Sequence, residues 1–105
     1  MFYTYILYSA KLDKYYIGFT ESLENRLTFH NSFERNKIWT KTGIPWRFVI
    51  AFGFLSRAEA MNLERKLKSS KSRKLIEELV ETGTLPLVWG FSPELVRAAD
   101  PDSSG

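Results

Sequence analysis

The chain has 105 residues, with 15 lysines and arginines against 12 acidic residues, a formal charge of +3 and a sequence pI near 9.3. That length supports one domain with a buried core and no second one, and the modest basic excess permits a nucleic-acid partner without demanding it. With no cysteine there is no disulfide, no thiolate metal centre and no cysteine nucleophile, so any metal must be held by oxygen or nitrogen.

The run FYTYILY, residues 2–8, is aromatic and β-branched and reads as a strand; SAKLD reads as a turn and KYYIGF as the antiparallel partner. The amino terminus lacks a basic lead segment and is shorter than a membrane span, so a cytoplasmic protein is expected. Gly18 interrupts the second strand, where glycine weakens the sheet and packs nothing. Such a glycine marks a place where a ligand or a facing side chain comes close. Tyr5 and Tyr16 lie on the two strands and are expected as cross-strand neighbours.

Thr20 or Ser22 can cap a helix with Leu23 and Leu27 on its apolar face, ending near Asn31 and Ser32. Arg26 and His30, the one histidine, share that face at helical spacing. Either Arg26 snorkels at the edge and His30 is a satisfied side chain, or both point into a polar cleft beside the sheet. A polar stretch runs to Gly43, and WRFVIAFGF, residues 46–54, is then the most strand-like run.

Ser56 opens the capping-box pattern SRAE and a helix carrying Ala60, Leu63 and Leu67. A second helix, from about Ser72 to Thr82, carries Leu75, Ile76, Leu79 and Val80 and stops at Gly83. Glu64 flanks the apolar stripe, where it either pairs with Lys68 or faces a site. Between Arg65 and Lys74 the chain holds six basic residues and no acid. Lys71, Arg73 and Lys74 crowd a helix start, an arrangement that a phosphate would relieve. In the tail, Leu87, Trp89 and Phe91 are expected to dock on the body, with Trp89 and Phe91 otherwise free to anchor a protein partner. Ser92-Pro93 should open a last short helix, and DPDSSG should be disordered.

The ordered set Tyr5, Tyr16, Arg26, His30 and Glu64 resembles the GIY-YIG endonuclease superfamily, in particular its small standalone bacterial members, over roughly residues 2–82. The second signature is literal, Tyr16-Ile17-Gly18, whereas Tyr3-Thr4-Tyr5 stands where the family has Gly-Ile-Tyr. The resemblance implies an α+β fold, a three-stranded antiparallel sheet flanked by helices in the order β-β-α-β-α-α, as a nuclease domain over residues 1–83 with a partly docked tail over 84–105. It further implies a metal-dependent endonuclease that hydrolyses phosphodiester bonds, in DNA more than RNA, structure- or damage-directed and of low sequence specificity. The chain is expected to act as a monomer.

The catalytic residues implied are Tyr5, Tyr16, Arg26, His30 and Glu64, with Glu64 holding one Mg²⁺ or Mn²⁺ ion. Gly18, Lys66, Lys68, Lys71, Arg73 and Lys74 are the implied nucleic-acid contacts. Arg26 has the fixed, permanently charged fork that suits phosphate oxygens. For the general base two candidates stand: Tyr5, whose ordinary pKa of about 10 would have to fall, and His30, which titrates near neutrality. Ile76 occupies the position where many catalytic members carry an asparagine. A nucleic-acid-binding module with little or no turnover on the same fold is the alternative.

Overall fold

The computed structural model describes residues 1–98. Its elements are β1 (Phe2–Ser9), β2 (Lys14–Thr20), α1 (Leu23–His30), β3 (Trp46–Phe54), α2 (Arg57–Ser70), α3 (Arg73–Thr82) and β4 (Glu94–Arg97), with short 3-10 helices at Trp39–Gly43 and Leu87–Trp89. The strands form one antiparallel sheet in the order β2-β1-β3-β4. Among the described residues no helix is long and apolar enough to cross a membrane.

Local chemistry sets the helix ends. Ser22, Ser56 and Ser72 each accept the amide three residues on, from Asn25, Glu59 and Leu75. Gly83 ends α3 at a φ of 71°, a left-handed conformation that glycine adopts without a Cβ penalty. Strand alternation then gives the sheet two apolar faces. Ile6, Ile50 and Phe52 pack with Ala60, Leu63 and Leu67 of α2 and with Ile76 and Leu79 of α3. On the other face Tyr5, Leu7, Trp46 and Ala51 pack with Leu23 and Leu27 of α1.

The α+β class holds, but the sheet has four strands rather than three. Residues after Pro93 form β4, pairing Leu95 with Phe52 and Val96 with Ala51, where a last short helix was expected. Without β4 the outer edge of β3 over Ile50–Gly53 would leave its backbone groups unpaired, and that demand outweighs the local helix-opening signal of Ser92-Pro93. Arg97 completes the docking by donating to the Val80 and Glu81 carbonyls at the end of α3. Trp89 and Phe91 pack on the larger core cluster, which removes them as free anchors for a partner. Leu87 stays 93% exposed and does not dock. The disorder expected for DPDSSG falls on residues 100–105, outside the described residues.

Gly18 acquires its reason from the register. Tyr5 stands opposite Gly18 and Tyr16 opposite Leu7, so the two tyrosines are diagonal neighbours with ring centroids 6.1 Å apart. A Cβ on Gly18 would run into the ring and hydroxyl of Tyr5. The group that comes close is therefore the Tyr5 phenol, and Gly18, buried beneath it, offers no surface to a phosphate. Gly18→Ala is expected to cost about 1–3 kcal/mol through overpacking. In urea unfolding, the double variant with Tyr5→Leu should recover most of that loss; strictly additive costs would show that the ring moves aside freely.

Candidate active site

Three segments converge on the Tyr5 hydroxyl. β1 carries Tyr5, the last two turns of α1 carry Arg26 and His30, and the loop before β3 carries Asn36 and Thr40. The end of α1 is clamped to β3 by Asn31, whose Nδ2 donates to the Trp46 carbonyl at 2.8 Å and whose Oδ1 accepts the Trp46 amide at 2.5 Å. That clamp fixes His30, the preceding residue, against the sheet.

His30 is fully buried, and both ring nitrogens are engaged: Nε2 lies 3.0 Å from the Tyr5 oxygen and Nδ1 3.0 Å from Thr40 Oγ1. Asn36 decides how the protons lie. Its Oδ1 accepts the Ile38 amide, so its Nδ2 must be the group that donates to the His30 carbonyl at 2.9 Å and to Thr40 Oγ1 at 2.8 Å. Thr40 thus receives one hydrogen bond already, and the acceptor left for its own buried proton is His30 Nδ1. The ring proton then sits on Nε2 and is donated to Tyr5. The phenolic proton is left over at the end of the chain and is not taken by His30.

Burial pushes the His30 pKa down to about 4, and the neighbouring Arg26 charge acts in the same direction. Burial likewise raises the Tyr5 pKa; the Arg26 guanidinium lies close enough to its oxygen to oppose that shift, while Tyr16 and Glu64 add to it. Arg26 is itself braced on the Phe29 ring, 4.4 Å from its centroid. The expectation that His30 titrates near neutrality is corrected here: it is a neutral imidazole at pH 7.

Glu64 and Tyr16 meet through Lys68. The Lys68 ammonium is 3.3 Å from Glu64 Oε2 and 5.9 Å from the centre of the Tyr16 ring, which in turn packs 4.6 Å from His30. Glu64 thus pairs with Lys68 and also lies near enough to Tyr5 to help raise its pKa. Among the described residues no cluster of three or more acidic or histidine ligands forms. A half-buried carboxylate with one flexible lysine as its partner fits a hard divalent ion that takes one carboxylate and completes its shell with water and phosphate.

The basic run divides. Lys68, Lys71 and Arg73 line a cavity of about 260 Å³ together with Lys14, whereas Lys66 turns to the Trp89 ring, 5.2 Å away. Lys74 is exposed at the start of α3. Arg73 is spent on structure: it donates to the Asp13 carbonyl and carboxylate, both at 2.7 Å, and to Glu77 at 2.8 Å. Those acids raise its pKa, and Tyr8 and Arg73 together lower that of Asp13. Ile76 is a core residue on the wall of that cavity. The sequence reading passed over Asn36 and Thr40, because a loop of polar residues carries no periodicity to mark which of them turn inward.

A single histidine makes the proton arrangement measurable. In a ¹⁵N-histidine-labelled sample, His30 is expected as the Nε2–H tautomer at pH 7, staying neutral until the pH approaches 4. Thr40→Val should release Nδ1 and mix the tautomers. Because the folded pKa lies below the unfolded value of 6.5, the unfolded chain binds the proton first; stability is full above pH 6.5 and falls as the pH drops toward 4. His30→Asn should remove that part of the slope in urea titrations, and an unchanged slope would place the titration elsewhere.

The GIY-YIG catalytic domain family matches residues 1–77. A UPF0213 protein of Streptococcus pneumoniae is 38% identical over 79 residues, covering 75% of this chain and 78% of the relative. A UPF0213 protein of Lactococcus lactis subsp. cremoris is 33% identical over 89 residues, covering 75% of this chain and 89% of the relative. With that match over residues 1–77 and relatives of this identity and coverage, the chain belongs to the GIY-YIG family.

Proposed function

We propose that this chain is a divalent-metal-dependent endonuclease that hydrolyses phosphodiester bonds in DNA, directed by structure or damage more than by sequence. The observation that carries the proposal is the buried Tyr5 oxygen, with His30 Nε2 3.0 Å away and the Arg26 guanidinium close enough to oppose the shift that burial imposes on it. Phosphodiester hydrolysis needs charge neutralised on the phosphate, a positioned water and a proton acceptor.

Arg26 suits the first task, since its fork can grip two phosphate oxygens and stays charged throughout. Tyr16 positions water or phosphate through its hydroxyl, half-exposed beside His30. Tyr5 is the base. Once its proton is lost to solvent, the phenolate accepts a proton from the attacking water as the new O–P bond forms; the bond from phosphorus to the other strand segment's oxygen breaks, and that oxygen leaves as an alkoxide that takes a proton from solvent. His30 Nε2–H and Arg26 hold the negative charge before that transfer. His30 is thus a donor that positions and stabilises Tyr5, because its Nε2 already carries a proton and its ring is sealed from solvent. Glu64 would hold a Mg²⁺ or Mn²⁺ ion, which when bound supplies Lewis-acid charge at the phosphate. Lys68 and Lys71 add cationic surface, so affinity should come from phosphate contacts and fall steeply with salt. Acting as a monomer, the chain would nick one strand at a time.

The second reading, a binding module with little turnover, draws on Ile76, buried at the position of the family's asparagine, and on Lys68, which already pairs with Glu64. Cleavage of supercoiled, single-stranded and branched DNA separates the two readings. Metal-dependent cleavage should fall about 100-fold or more in each of Glu64→Gln, Arg26→Ala and Tyr5→Phe, and vanish with a chelator. Since the Tyr5 pKa is raised and the base acts deprotonated, the rate should climb with pH through the alkaline range, with no inflection at pH 6–7. Salt-sensitive binding without cleavage by the parent under either metal would favour the binding module.

A further inference from the structure

Trp39 is held in an unusual way for an indole. It keeps 53% of its surface exposed, although Trp46 beside it is 2% exposed and side chains of this size normally surrender most of their area. Its backbone is pinned. The Trp39 carbonyl accepts from Thr42 Oγ1 at 2.8 Å, the next residue, Thr40, is locked between Asn36 and His30, and the Thr40 carbonyl accepts Trp46 Nε1 at 2.6 Å. The ring meets Tyr16 at 5.9 Å and Trp46 at 6.0 Å between centroids, both at steep angles, and the rest of it opens to solvent. A rigid aromatic surface therefore begins one ring away from the residues assigned to the scissile phosphate.

The surroundings say what that surface fits. Exposed Arg35 and Lys37 lie between exposed Phe33 and exposed Ile38 and Trp39 in one loop that carries a single acid, Glu34, and the Lys68 ammonium is 5.9 Å from the Tyr16 ring that Trp39 meets. Cations that follow a phosphate backbone, interleaved with aromatic rings on which bases stack, are the features of a single-strand-binding surface. Within a duplex, a base is already stacked on both sides and paired along its edge, so an indole can receive only a base that has left the helix. We infer that Trp39 is a stacking platform for an unpaired nucleobase next to the scissile phosphate, and that the substrate is single-stranded or splayed at the cut. This rests on the phosphodiester reading above for the position of the phosphate.

The test measures binding in chelator, so that nothing is cleaved, to three labelled probes of equal length: a single-stranded oligonucleotide, its blunt duplex, and a single strand of abasic residues that keeps the phosphates without the bases. Trp39→Ala should weaken the ordinary single strand about tenfold or more, and the duplex and abasic strand by less than about twofold. Trp39→Phe, which keeps a smaller ring, should fall between parent and alanine variant. An equal loss on all three probes, or no loss on any, overturns the platform. If Trp39→Ala unfolds, Trp39→Leu and Trp39→Phe replace it: loss of the ordinary strand with Leu and retention with Phe supports stacking, and equal loss with both overturns it. Self-association of the parent that Trp39→Ala abolishes, with all three probes bound alike, would assign the ring to a contact between copies and also overturns it. The hydrolysis reading is judged separately by Glu64→Gln cleavage. Selective loss on the ordinary strand in a chain that cuts nothing would keep the platform and reject only the nuclease.

Discussion

The missing side chain at Gly18 is the constraint from which the site follows. It lets the Tyr5 ring lie across the neighbouring strand instead of standing away from it, and so determines where the phenolic oxygen comes to rest. From that point His30 can be fully buried and still bonded at both ring nitrogens. A larger residue at position 18 would move the oxygen, and the chain Asn36, Thr40, His30, Tyr5 would lose its last link. Packing and proton placement are one problem here, because a buried polar chain is costly wherever it leaves a group unpaired.

Electrostatics divides the cations into two kinds. Arg73 is tied to Asp13 and Glu77, which joins the β1–β2 turn to the start of α3; its fork is spent on holding elements together. Such exposed pairs add little stability individually, and this one's contribution is to fix the hairpin tip against the helices. Arg26 and Lys68 instead lie beside Tyr5 and Tyr16. Arg26 has no carboxylate partner among the described residues, rests on Phe29, and helps keep His30 neutral. An imidazole neutral at pH 7 beside a permanently charged guanidinium is a stable division of labour: one donates a hydrogen bond in a set direction, and the other supplies charge.

The loop from residue 31 to 43 joins those two aspects. Its inner residues Asn36 and Thr40 complete the hydrogen-bond chain, and its outer residues Phe33, Ile38 and Trp39 form the exposed apolar surface. Every buried side-chain polar atom among the described residues has a hydrogen-bond partner, so this loop is as tightly specified as the sheet it borders. A surface aromatic on a loop that rigid loses little conformational entropy when a ligand stacks on it.

Much of this protein was legible in its residues. The hairpin, the serine caps at 22, 56 and 72, the stop at Gly83 and the apolar stripes of α2 and α3 are local matters, fixed by φ/ψ preference and by periodicity within one element. The ordered Tyr5, Tyr16, Arg26, His30 and Glu64 also stood out, because a cation and a histidine on an apolar helix face conflict with simple packing. Other features depended on residues far apart in the chain. β4 forms because β3 needs a partner at its open edge, and Arg73 leaves the basic run because Asp13, sixty residues earlier, turns to meet it. The neutral state of His30 required its burial and the fixed orientation of Asn36 to be known together. Sequence by itself determined the elements and the inventory of reactive groups, since these follow from short-range sterics and side-chain chemistry. Tertiary structure decided which cations remain free, which His30 nitrogen carries the proton and which aromatic ring meets solvent, since burial and hydrogen-bond partners are properties of the folded chain alone.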